Sequence, residues 1–195
     1  MSWLRRQGGW LLGAVLLAAL AIGIPVRAVL EDRAAWEPSY PREVAPGAWA
    51  EYEGARWRVA DVELAAADAP AVSALGYRHD ASVLVVRFEV IPGAESTADR
   101  LSQCKSRVSD RRGRYWEADD PPGSARRTLG KDCGHGPLHR GGEPAPAGRP
   151  FRFEKIYRIA PDTALDGLYP ELRFLRNERD PQGTYLRFSL APATG

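Results

Sequence analysis

Apolar and polar positions alternate along most of this chain, in short runs. Ser82 to Ile91 (SVLVVRFEVI) is the clearest run. Leu84, Val86, Phe88 and Val90 fall on one face, and Val83 and Val85 make the first half apolar on both faces. A period of two with β-branched and aromatic residues predicts a strand, and apolarity on both faces predicts a central one. Upstream, Ala48 to Leu64 predicts a strand pair that turns at Gly54. There Trp57 and Val59 alternate with Arg56 and Arg58, after which the phase flips and Val62 and Leu64 carry it on. One extra residue inserted in a strand causes such a flip, so a β-bulge is expected at Ala60-Asp61.

Downstream, Gln103 to Ser109 places Cys104, Ser106 and Val108 on one face. Asp110 to Gly113 has turn chemistry and Arg114 to Glu117 returns, which predicts a hairpin. Phe151–Ile159, Leu168–Leu175 and Tyr185–Leu190 read as three further strands. Ala65 to Asp80 reads as loop, Asp162 to Leu165 as one helical turn after Pro161, and Asn177 to Gly183 as a turn. Ala118 to Pro150 is rich in glycine and proline and has no period. Loops of that length are uncommon and are usually functional or disordered. Seven or eight short strands separated by polar turns, without strand-helix-strand alternation, predict an all-β fold. The best fit is an immunoglobulin-like antiparallel β-sandwich over residues 48–195.

The N-terminal pattern is different. Trp10 to Val26 carries no charge and is preceded by Arg5 and Arg6. Counted through Leu30, with Arg27 extending its stem to the interface, it spans roughly 31 Å as a helix, about one bilayer core. The expectation is a transmembrane anchor over 10–30. The basic flank keeps residues 1–9 in the cytoplasm, a proline-rich tether covers 31–47, and the sandwich lies outside the inner membrane. The alternative is a signal peptide cleaved near Ala28, which would release a secreted domain.

Composition narrows the function classes. Lys and Arg total 27 against 25 for Asp and Glu, and without Arg5 and Arg6 the balance is 25 against 25. A neutral exported domain lacks the electrostatic footprint of a nucleic-acid binder. Arginine dominates over lysine, a bias that suits a GC-rich bacterial genome. The two cysteines, Cys104 and Cys133, are expected to form a disulfide in an oxidising compartment. Closing a loop of about 30 residues stabilises by about 3.5 kcal/mol in the chain-entropy reading.

Candidate chemistry is sparse. Cys133, His135 and His139 could ligate zinc or copper. However, the glycines and proline between them oppose the helix that an i, i+4 histidine pair needs, and an oxidised Cys133 is no thiolate ligand. Glu117, Asp119 and Asp120 form an acidic cluster whose oxygens could serve calcium binding or carboxylate catalysis in an envelope hydrolase; it matches no calcium-loop spacing and reads as a solvated turn. His79 reads as a loop histidine. Arg111, Arg112, Arg114, Arg126, Arg127, Lys131 and Arg140 make one region locally basic, a patch that could meet anionic surfaces. No nucleophile motif and no phosphate-binding glycine loop is present in the sequence. The expectation is therefore no catalytic residues and no cofactor.

Three segments carry a family resemblance: SVLVVRFEV, CKSRVSDRRGRYW and FRFEKIYRIAPDTALDGLYPELRF. Together with the anchor or signal and the later cysteine, they resemble the bacterial exported immunoglobulin-like, telokin-like domains that include the mycobacterial secreted immunoprotective antigen. The resemblance spans roughly residues 50–190. The long loop, rich in histidine and arginine, departs from the family. Membership implies a non-enzymatic adhesive or accessory module with no catalytic residues to carry over. The expected function is thus a membrane-anchored, non-catalytic cell-envelope interaction module with an envelope protein as partner, engaged through an exposed sheet face or the 118–150 loop. A periplasmic metal-handling protein built on Cys133, His135 and His139 is the alternative.

Overall fold

The computed structural model describes residues 13–27, 40–77, 81–119, 132–135, 142–174 and 183–190. The chain divides into two units, Met1–Glu37 and Pro38–Gly195.

In the first unit residues 13–27 form a helix, α1, whose described side chains are all exposed. Val15, Leu17 and Ile22 are each about two-thirds exposed. Among the described residues no helix is long and apolar enough to cross a membrane. The expected 10–30 span is thus represented only by its central part, and positions 10–12 and 28–30 lie outside the described residues.

The second unit is a β-sandwich of two sheets. Its strands are β1 (Tyr40–Val44), β2 (Ala50–Tyr52), β3 (Ala55–Ala65), β4 (Ser82–Pro92), β5 (Lys105–Asp110), β6 (Tyr115–Glu117), β7 (Phe151–Ile159), β8 (Leu168–Arg173) and β9 (Thr184–Phe188). The larger sheet runs β1-β9-β8-β5-β6 and the smaller β2-β3-β4-β7. All pairings are antiparallel except β1 with β9. Strand β4 is central, as its pattern predicts. Leu84, Val86, Phe88 and Val90 are fully buried between the sheets with Trp57, Phe153, Tyr157, Leu172 and Phe188. Phe88 stacks on Phe153, and Trp57 meets Phe153 and Phe174 edge-on. The Trp57 indole N–H donates to the Tyr52 carbonyl at 2.8 Å, which satisfies its polar atom inside the core.

The register of β3 against β4 shifts between Val59 and Asp61, where the bulge is expected. Two segments differ from the sequence reading. Residues 65–80 are not wholly loop: Pro70–Ala74 form a short helix, α2, with proline in its first turn. Its Val72 packs on Val83 and Ile156. This second, smaller cluster explains why β4 is apolar on both faces at its start. Residues 40–44 are not tether but strand β1, with Val44 buried. Its one buried apolar side chain leaves no period to read, because the strand is held by backbone pairing to β9. The single turn near Pro161 lies slightly later than expected, as a 3-10 turn at Leu165–Gly167.

Between β4 and β5 sits a short helix, α3 (Ala98–Ser102), capped by the Thr97 hydroxyl, which accepts from the Arg100 N–H. The Cys104–Cys133 disulfide is present, with a Cα–Cα distance of 6.3 Å. It pins the segment 132–135 against α3. A Cβ at Gly134 would stand 2.1 Å from the Ala98 carbonyl oxygen, so only glycine permits this approach.

Candidate interaction face

The outward face of the larger sheet is organised by register. Alternate residues of a strand share a face, and the pairings bring Glu43, Arg187, Glu171, Arg107 and Glu117 side by side, one from each of the five strands. The row alternates in sign from edge to edge. Arg187 Nη2 lies 2.8 Å from Glu43 Oε1, and Arg107 Nε donates to Glu171 Oε2 at 2.6 Å. The Ser109 hydroxyl donates to the other Glu171 oxygen at 2.6 Å, so this carboxylate is fully engaged although only 1% exposed. Burial works against charge on Arg107 and Arg187. The Glu171 bonds to Arg107 and the Glu43 bonds to Arg187 outweigh it and hold both guanidinium pKa values above their ordinary range.

Tyrosines flank the row. Arg107 lies over Tyr115 at 5.1 Å, Arg187 over Tyr169 at 5.0 Å and Arg173 over Tyr185 at 4.7 Å. Each guanidinium thereby gains a cation–π contact that favours this position. Tyr115 is 59% exposed. Lys105 stands opposite Arg173 in the next row, so that end of the face holds two cations side by side. The face is polar, preorganised and rich in the residue types that dominate binding hot spots.

The smaller sheet's outward face is also charged. Glu89 is buried and contacted by Arg58 at 2.6 Å and Arg152 at 3.7 Å. Arg87 is ringed by Asp61, Glu63 and Glu154. Burial opposes the Arg87 charge, and these three carboxylates raise its pKa regardless.

The residues singled out from sequence are scattered over the fold. Cys133 is bonded to Cys104, so its sulfur is not a thiolate ligand in this state. His135 lies 3.5 Å from Asp132 and 4.0 Å from Asp99, while His139 falls outside the described residues. Among the described residues no three His, Cys, Asp or Glu side chains converge on a metal-sized site. Glu117 joins the charged row, and Asp119 accepts from the Tyr77 hydroxyl and pairs its backbone with Ile156. Asp120, His79, Arg126, Arg127, Lys131 and Arg140 lie outside the described residues. Arg111 donates to the Tyr169 hydroxyl at 3.2 Å, and Arg114 closes on Asp110 at 2.7 Å. The guanidinium groups of Arg111 and Arg114 in this hairpin are thus engaged by neighbours.

The charged row was not visible from sequence. Its members are charged residues at outward strand positions. Their one legible signal is the mixing of Arg, Glu and Tyr where serine or threonine would serve solubility equally well. No known family pattern, no characterised protein and no solved structure matches this chain.

Proposed function

We propose that this chain is a membrane-anchored, non-catalytic interaction module of a bacterial cell envelope, built on an immunoglobulin-type sandwich and docking its partner on the outward face of the larger sheet. The strand order supports the immunoglobulin reading. β9-β8-β5-β6 follows the G-F-C-C′ order of that fold, and β4 beside β7 follows its B–E pair. The anchor reading draws on α1, whose apolar side chains are exposed all round within the chain. A helix hydrophobic on every side requires apolar surroundings. Continued to residues 10 and 30, it would reach roughly 31 Å, with Arg5 and Arg6 on the cytoplasmic side.

The observation that carries the interaction reading is the row Glu43–Arg187–Glu171–Arg107–Glu117 with its arginine-capped tyrosines. Charges fixed in an alternating order favour a partner with the complementary order and penalise one that is out of step. The test is site-directed photocrosslinking of the full chain in native membranes. A photoreactive residue at Tyr115 should capture one protein, and one at Arg158 on β7 should not. Adding Arg187→Ala should abolish the Tyr115 adduct. Equal capture from both positions, or capture unaffected by Arg187→Ala, would sink the proposal. Resistance of the chain to alkaline extraction tests the anchor separately.

A further inference from the structure

One end of the sandwich carries an open depression of about 580 Å³, within the size range of small-ligand sites. The β2–β3 hairpin, the end of β4 and the loop at Gly148 form it. Its floor is tight. The Gly93 N–H donates to the Gly54 carbonyl at 3.0 Å, and a Cβ at Gly93 would stand 2.2 Å from that oxygen. The Gly148 N–H donates to the Pro92 carbonyl at 2.8 Å and closes the side, with open space beside its Cα.

Two lining residues, Glu51 and Arg56, oppose each other across the β2–β3 pair. Elsewhere on the smaller sheet's outward face opposite charges close on each other, as at Arg58–Glu89 and Arg87–Glu154. Glu51 and Arg56 do not. Among the described residues neither side chain has an ion-pair partner. Arg56 instead lies 5.6 Å from the Trp49 ring, which it shares with Arg58 at 4.6 Å. Glu51 accepts from Arg42 only through its backbone carbonyl. An anion acceptor and a cation acceptor are thus left open in one concavity, one strand spacing apart, beside the apolar edge of Ile91 and Pro92.

From this geometry we infer that the depression binds a small zwitterionic molecule of the amino-acid or dipeptide class. Its carboxylate sits on Arg56, its ammonium on Glu51, and its small apolar body on Ile91–Pro92. Arginine suits a carboxylate because its donor fork matches the two oxygens. The site is separate from the larger sheet's outward face and does not depend on a docking role there.

The test is calorimetric titration of the full chain in detergent with dialanine, N-acetyl-dialanine and dialanine amide. Dialanine should bind saturably, and each capped form should bind about tenfold or more weakly, the scale of one hydrogen bond to a charged group. Arg56→Gln should erase the preference for a free carboxylate, and Glu51→Gln the preference for a free amine. Absence of saturable dialanine binding, or capped forms binding as tightly as dialanine, would overturn the inference. Preferences unchanged in both variants would do the same. Should either variant fail to fold by circular dichroism, the three-ligand comparison on the unaltered chain decides.

Discussion

Glu171 and Arg107 face each other on β8 and β5, with Arg107 Nε 2.6 Å from a carboxylate that is 1% exposed. Removing one partner of a buried pair leaves the other charge uncompensated, which costs about 3 kcal/mol. Glu171→Ala should therefore lower the unfolding free energy obtained from urea denaturation by that scale. Glu171→Ala with Arg107→Ala should lower it by less than the two single changes summed. Additive losses in the double-mutant cycle would mean that the pair is not coupled.

The Asp110 carboxylate organises the β5–β6 hairpin. It accepts from the Arg112 and Arg114 N–H groups at 2.9 Å each and from Arg114 Nε at 2.7 Å. Burial on its own would raise its pKa. The bonds from Arg114 and Arg112 outweigh burial and hold it below the usual carboxylate range. A depressed folded-state pKa contributes stability above the unfolded value, near pH 3.9, that is lost as pH falls through the folded value. Asp110→Asn should thus lower stability at pH 7 and flatten the decline below about pH 4. Urea midpoints measured from pH 2 to 7 check both effects.

Glu53 has a φ of 52° and Gly54 one of 73°, so both central residues of the β2–β3 turn are left-handed. That matches the twist of a two-residue hairpin, and it strains Glu53. The Glu53 carboxylate is retained by Arg100, 3.0 Å away, which also lies over Phe174. Glu53→Ala loses the ion pair and keeps the strain, whereas Glu53→Gly loses the pair and relieves the strain. The alanine variant should be the less stable of the two by about 1 kcal/mol in thermal or urea unfolding. Equal stability would remove strain from the account.

The disulfide and Gly134 act together in holding the 132–135 segment on α3. Asp132 Oδ1 accepts from the Gly134 N–H at 2.8 Å and from the His135 N–H at 2.7 Å, so local bonds hold the turn alongside the bridge. Cys104→Ser should cost about 3.5 kcal/mol, the loop-closure scale. Gly134→Ala places a methyl against the α3 backbone and should raise the fraction of free thiol after folding. Maleimide labelling under denaturing conditions measures it, and complete bridging in the alanine variant would show that the close approach is dispensable.

How much of this was legible in the sequence differs by element. Strand β4 was legible because the period of two is a local property, and burial follows it when both sheets are present. The bulge after Val59 was legible as a broken phase. The Asp110 turn was legible because an aspartate followed by a glycine carries its own local bonds. Helix α2 was missed because five residues around Val72 hold too little period to read. Strand β1 was missed because only Val44 of its five side chains is buried.

The all-β class, the position of the central strand, the disulfide partners and an apolar N-terminal segment are all readable from the order of residues. Each follows from neighbours along the chain or from the cysteine count. Tertiary structure alone decided the row from Glu43 to Glu117 and the juxtaposition of Glu51 and Arg56, which among the described residues have no ion-pair partner, along one depression. Register across five strands is set by backbone hydrogen bonds between distant segments. Outward charges have no period of their own that would reveal which of them become neighbours.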